Sequence, residues 1–150
     1  MEKLIKTPAR ISEIIAASVG FVLLYAAASK TLGLYVFLAQ LRRQPFPDWM
    51  AYPLLIVLPV SELIVCYLLL KSRHRRVGLI TAAALMFTFT LYVWLGMTGR
   101  LGDVPCTCGG LLGVLMDWPA HLIFNITVTL LALVGLFFHN KKGGNLQELR

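Results

Sequence analysis

The segment Tyr52–Leu70 reads YPLLIVLPVSELIVCYLLL and carries a single charged side chain, Glu62. Its length is close to the ~20 residues that an α-helix needs to cross the ~30 Å hydrocarbon core of a bilayer. The segment therefore predicts a membrane-spanning helix, and this interpretation can be tested against the rest of the chain.

Three more apolar runs of similar length accompany it, from about Ile14 to Val36, from Val77 to Met97, and from about Ala120 to Phe138. Closed β-barrels also cross membranes, but their strands are short segments of alternating polarity. Because these runs are unbroken, the sequence predicts an all-α fold, a four-helix transmembrane bundle. We expect one membrane domain over residues 1–140, followed by a polar, disordered tail over residues 141–150.

Composition agrees with a membrane location. Hydrophobic residues form 58% of the chain and charged residues 14%, against about 45–50% and about 25% in soluble domains. A chain of 150 residues has too little interior to bury this excess, so the bilayer is its expected partner. The net charge of +7 comes from basic residues in short gaps between the apolar runs, which is typical of topology signals and not of nucleic-acid binding.

The first run has an alternative interpretation. Basic residues precede it, and it contains the small residues Ala26–Ser29, a pattern that resembles a signal peptide with a cleavage site. The apolar character continues through Phe37, however, so we expect a retained helix.

The distribution of Lys and Arg predicts the orientation. Ten basic residues fall on one side of the predicted bundle: Lys3, Lys6, Arg10, Lys71, Arg73, Arg75, Arg76, Lys141, Lys142 and Arg150. Four fall on the other: Lys30, Arg42, Arg43 and Arg100. By the positive-inside rule both termini are cytoplasmic, in a multi-pass protein of a bacterial inner membrane. Residues 40–51 and 98–119 then face outward.

The second outward segment contains two cysteines that are separated by one residue. They form the motif Cys106-Thr107-Cys108, which lies between Pro105 and Gly109-Gly110. Proline and glycine favour a tight turn that brings the two sulfurs together. Disulfides persist outside the cytoplasm, and a small, strained, exposed disulfide exchanges readily. Redox exchange is the favoured hypothesis. A static disulfide, metal binding and no role at all remain alternatives, although two cysteines and one histidine fall short of a zinc site.

Three polar residues lie within the predicted helices. Glu62 falls near the bilayer centre, where an ionisable group is costly and often functional, and Lys30 in the outer part of the first helix can pair with it. The pair is either a structural clamp or part of a proton or ligand site. Asn125 lies one turn below His121 on the same helix face.

His121 opens the last helix, so it can stabilise a thiolate or carry a proton beneath the cysteine turn. The alternative is a histidine that only anchors the helix at the membrane interface. Cys66, one turn from Glu62, is interpreted as a small apolar residue.

Taken together, these motifs resemble the MauE/DoxX-like membrane proteins, and most closely the MauE branch. The resemblance covers about Ile11 to Phe138. It rests on Ala28-Ser29-Lys30, Glu62, Cys106-Thr107-Cys108-Gly109-Gly110, and a last helix that begins His121-Leu122-Ile123-Phe124-Asn125. Many members read closer to Cys-Gly-Cys-Phe-Gly, so Thr107 and Gly109 depart from the pattern. His121 stands near a position where many members have arginine.

The resemblance implies thiol–disulfide exchange on the outer face with a periplasmic thioredoxin-like partner. Cys106 and Cys108 would be the redox pair and His121 would tune them, while Lys30, Glu62 and Asn125 would line a pocket or hold the bundle. The architecture is also similar to DsbB and vitamin K epoxide reductase, whose Cys-x-x-Cys pair is absent here. A quinone therefore stays an open alternative, and no other cofactor is indicated.

Two other functions compete with this one. The first is a non-catalytic scaffold that stabilises a partner oxidoreductase. The second is a small-molecule carrier or quinone-site subunit centred on Glu62. The sequence leaves open whether the chain is itself a thiol–disulfide oxidoreductase or an accessory subunit of one.

Overall fold

The computed structural model describes the backbone of residues 2–100 and 117–147, and the side chains of residues 10–100 and 117–141. Cys106 and Cys108 lie outside the described residues, so the predictions made for them stay predictions.

All regular secondary structure in the described residues is helical, and these residues contain no strand. The elements are α1 (Glu2–Leu32), α2 (Leu34–Arg42), a 3₁₀ turn (Asp48–Met50), α3 (Ala51–Leu70), α4 (Arg75–Met97) and α5 (Trp118–Gln147). Four stretches are long and apolar enough to cross a bilayer: Arg10–Leu32, Asp48–Leu70, Arg75–Met97 and Trp118–Lys141. The prediction of four spanning helices is confirmed.

One helix boundary differs from that predicted. The first apolar run does not form one helix to Val36, because the helix ends at Leu32 and α2 begins at Leu34. Gly33, with φ −96° and ψ 37°, interrupts the helical backbone there, and glycine has low helix propensity.

The residues from Leu34 onward therefore form a separate short helix that packs on the bundle. Phe37 and Leu41 of α2 are buried together with Ala51 at the start of α3. Their spacing of four residues places both on one face of α2. Part of the segment that the sequence assigned to an outer loop thus covers the side of α3.

The four long helices form a ring in which α1 contacts α3 and α5, and α4 contacts α3 and α5. Helices α1 and α5 are antiparallel neighbours, because Ser12 Oγ donates a hydrogen bond of 3.0 Å to the carbonyl oxygen of Gly135. We call the end at which α4 ends and α5 begins the Trp118 end. The opposite end, where α4 begins, is the Arg75 end.

Glycines allow α4 to approach its neighbours closely. A Cβ atom on Gly78 would lie 2.7 Å from the backbone nitrogen of Leu69, and one on Gly96 would lie 2.5 Å from the ring of Trp118. Both distances are shorter than real Cβ contacts allow. Helices packed in membranes commonly use small residues in this way, since lipid gives no hydrophobic drive to hold helices together.

The interior and the outer surface are both largely apolar. The core toward the Arg75 end consists of small and aliphatic residues, among them Ala16, Val19, Leu69, Leu79, Ala82 and Ala132. Large apolar side chains also cover the outside, including Phe21, Ile56, Phe87 and Phe137. An exposed apolar surface of this extent requires a lipid environment.

Candidate functional site: a buried polar layer

Lys30 lies on the interior face of α1. The buried residues of this helix, Ser12, Ala16, Val19, Leu23, Ala27 and Lys30, recur every three or four positions, which defines a single face. Lys30 is the last of them, at the Trp118 end, and its side chain is fully buried. A charge at such a position requires a partner.

Glu62 of α3 is that partner. Lys30 Nζ lies 2.6 Å from Glu62 Oε1, and both side chains have no exposed area. Helical side chains lean toward the N-terminus of their own helix. Because α1 and α3 run in opposite directions, Lys30 and Glu62 lean toward each other. The predicted contact between the two residues is confirmed.

His121 and Asn125 occupy the interior face of α5. They begin a buried series that continues through Val128, Ala132 and Gly135. His121 is 1% exposed and Asn125 is 2% exposed. The prediction that these two side chains share one helix face is confirmed, and that face is directed into the bundle. A histidine that only anchors the helix at the membrane surface would be more exposed than this.

Helix register brings these residues to similar depths. The contact between Ser12 and Gly135 places His121 about level with Ala26 of α1. On the other side of α1, a Cβ atom on Gly20 would contact Leu69 at 3.9 Å, which places Glu62 at nearly the same level. Lys30 lies about one turn nearer the Trp118 end, and Asn125 about one turn farther from it. We refer to Lys30, Glu62, His121 and Asn125 as the polar layer.

The polar layer contains most of the unsatisfied polar atoms that the described side chains bury. Glu62 Oε2, both ring nitrogens of His121 and Asn125 Nδ2 have no hydrogen-bond partner, and Arg75 Nε is the one other such atom. Buried polar groups are nearly always hydrogen-bonded, and exceptions call for an explanation. The polar layer is therefore the part of the described interior that offers the most free hydrogen-bonding atoms to a bound water molecule or ligand.

The cysteine segment joins the described fold at this same end. It leaves after the C-terminus of α4 and returns at Asp117, whose carbonyl oxygen accepts a hydrogen bond of 3.0 Å from the backbone N–H of His121. Cys66, in contrast, is buried in the apolar core next to Gly20. It is the free cysteine of the described residues, and it lies farther from the Trp118 end than Glu62 does. Within the described ranges no group of three metal-binding side chains occurs.

A second feature was not predicted from the sequence. A cavity of about 170 Å³ lies between α2, α3 and α4. Its lining consists of Leu41, Gln44, Phe46, Leu54, Leu58, Thr88, Phe89 and Tyr92. The Tyr92 hydroxyl donates a hydrogen bond to Gln44 Oε1. The sequence holds no signal for this contact, because it depends on the turn that follows α2.

Comparison with protein families gives one match. The family model described as methylamine utilisation protein MauE matches residues 8–138. The chain belongs to the MauE family. The matched region contains the first three spanning segments, the fourth as far as residue 138, the polar layer and the cysteine segment. This MauE-family protein is therefore a multi-pass membrane protein, and the resemblance inferred from its motifs is confirmed. No curated protein and no solved structure matches the chain.

Proposed function

We propose that this MauE-family protein is the membrane component of a thiol–disulfide exchange system, with Cys106 and Cys108 as its redox pair. The observation that supports the proposal most is the position of His121. Its imidazole is buried with both nitrogens unpartnered, one helical turn from the point at which the cysteine segment rejoins the fold. A neutral imidazole can accept a proton from a thiol and return it to a thiolate.

The exchange runs through a mixed disulfide. A thiolate of a thioredoxin-like partner attacks one sulfur of the Cys106–Cys108 disulfide, and the other sulfur leaves as a thiolate that takes up a proton. The second thiolate of the partner then attacks the mixed disulfide. Two electrons pass from the partner to the pair, and the partner becomes oxidised. The reverse sequence oxidises the pair at the expense of a partner disulfide.

The proposal includes an orientation. The sequence assigns ten of the 14 basic residues to the side of the termini and of the connection between α3 and α4, so we infer that this side is cytoplasmic and that the Trp118 end faces the periplasm of a bacterial host. Disulfides are stable in that compartment. The proposed exchange does not require this chain to act in methylamine utilisation.

Trapping the mixed disulfide tests the function. The variants Cys106→Ser and Cys108→Ser are expressed separately in the native host. One of the two lacks the cysteine that resolves the mixed disulfide. We expect that variant to give a higher-mass band on non-reducing gels that disappears with reductant. Cys66→Ser is the matched control and should give no such band, because it keeps both Cys106 and Cys108 and can resolve the mixed disulfide.

The competing hypothesis of a scaffold makes the opposite prediction. If neither single variant traps a partner, and Cys106→Ser/Cys108→Ser supports normal growth and partner maturation, the pair is structural or without a role. The proposed exchange function would then be wrong.

A further inference from the structure

We propose that the polar layer is a hydrated proton relay, in which water molecules join the imidazole of His121 to the carboxylate of Glu62. The inference goes beyond thiol–disulfide exchange, because it rests on the described helices alone. It assigns to the bundle interior a proton-binding site that the cysteines do not form.

The unpartnered atoms of the layer are chemically complementary. Glu62 Oε2 can only accept a hydrogen bond while the carboxylate is charged, and Asn125 Nδ2 can only donate. The neutral ring of His121 offers one donor and one acceptor. Water both donates and accepts, so one or two molecules between α3 and α5 satisfy all four atoms. Each atom left unpaired would cost about 1–3 kcal/mol, which favours hydration.

The side chain that α1 presents to the interior at this level is small. At the level of Glu62 and His121, the interior face of α1 carries Ala27, whose side chain is a single methyl group. A buried water molecule needs a polar site with two to four hydrogen-bonding partners, and α3 and α5 together supply four such atoms.

The groups that face the layer come from three helices. From α1, Lys30 is bound to Glu62 Oε1. The buried face of α4 near this end presents Phe89 and Val93, which do not titrate. From α2, the ring of Phe37 lies 6.0 Å from Lys30 Nζ.

The other described charged groups near this end are exposed, namely Arg42, Arg43, Asp48, Arg100 and Asp117. Arg42 donates to the hydroxyl of Tyr52, and Tyr92 of α4 is bonded to Gln44. Among the described residues, the ionisable groups inside the layer are therefore Lys30, Glu62 and His121, and the relay joins the last two. Water between an imidazole and a carboxylate gives the proton a continuous hydrogen-bonded route.

Water-edited solid-state NMR tests the relay in the full-length protein. The protein is labelled with ¹⁵N-histidine and reconstituted in phosphatidylethanolamine/phosphatidylglycerol vesicles, and His121→Gln assigns the His121 signals. We expect rapid magnetisation transfer from water to the His121 ring despite its burial. Asn125→Leu keeps every charge but fills the layer, so it should reduce the water transfer severalfold.

A second measurement tests the link to Glu62. Glu62→Gln/Lys30→Met removes both partners of the ion pair, and such double replacements are commonly tolerated. Because this variant removes the charged carboxylate that would accept a hydrogen bond from the shared water, the water transfer to the His121 ring should fall severalfold. Ser12→Ala, which removes a buried hydrogen bond at the Arg75 end, is the matched control and should leave the water transfer unchanged.

Failure of either result overturns the relay. If the His121 ring receives no magnetisation from water, the layer is not hydrated. If the transfer is unchanged in the double variant, the water at His121 is not shared with Glu62. Running the same spectra in Cys106→Ser/Cys108→Ser separates this proposal from the thiol chemistry, since the relay should persist without the cysteines.

Discussion

At the scale of single residues, Lys30 and Glu62 show how a membrane interior constrains charge. Each side chain would be strongly unfavourable alone in hydrocarbon, and together they form a contact of 2.6 Å. This cost is what made the pair predictable from the sequence, because two lone ionisable groups on neighbouring helices are best explained as partners. The free oxygen of Glu62 was not predictable, since it depends on side-chain geometry.

The pair should behave as one unit in mutagenesis. Lys30→Met and Glu62→Gln should each lower the free energy of unfolding by about 3–5 kcal/mol, because each breaks a buried ion pair by removing one of its members. The double variant should be markedly more stable than the sum of the two losses predicts. Thermal unfolding of the purified variants in one detergent measures all three.

The matched control for that experiment is the exposed ion pair at the Arg75 end. Glu13 accepts from Arg75 at 3.2 Å, and the Glu13 side chain is largely exposed. Surface pairs contribute about 0–1 kcal/mol, so Glu13→Gln should change stability little. Additive losses in the Lys30 and Glu62 variants would show that the buried pair is not coupled.

At the scale of elements, the apolar runs located the spanning helices well, because bilayer thickness fixes how long such a run must be. The break at Gly33 was missed, since the residues on both sides of it are equally apolar. Helix α2 turns aside there, and its packing through Phe37 and Leu41 depends on contacts distant in sequence. The cavity and the contact between Gln44 and Tyr92 follow from that turn, so they were missed for the same reason.

The close approach of α4 to α3 should be sensitive to a single methyl group. Gly78→Ala should destabilise the protein by about 1–3 kcal/mol, the usual cost of overpacking, because the nearest atoms to the added Cβ belong to the backbone of α3. Gly20→Ala is the control, since its Cβ would meet Cys66 Sγ at an ordinary 3.7 Å. Equal stability of the two variants, measured by thermal unfolding, would contradict this account of the packing.

At the scale of the whole molecule, the orientation in the membrane can be tested with the cysteines. We expect Cys106 and Cys108 to face outward, and Cys66 is buried. After reduction, an impermeant thiol reagent added to cells with a permeabilised outer membrane should label a Cys66→Ser variant fully. It should fail to label Cys106→Ser/Cys108→Ser.

Labelling that requires lysis of the inner membrane would reverse the orientation. It would also remove the cysteine pair from the oxidising compartment, and with it the argument for redox exchange. The polar layer and the fold would be unaffected, because the contacts that define them do not depend on which side of the membrane the Trp118 end faces.

The unequal halves of the bundle interior have an electrical consequence. From the polar layer to the Arg75 end the core is apolar, so this half has a low dielectric constant, whereas a hydrated layer at the Trp118 end has a higher one. The membrane potential would then fall mainly across the apolar half. A proton that enters from the Trp118 end and stops at Glu62 crosses only part of the field, which is less than the ~2.3 kcal/mol per 100 mV of a full crossing. Proton uptake by the layer would thus depend less on the membrane potential than proton transfer across the whole membrane does.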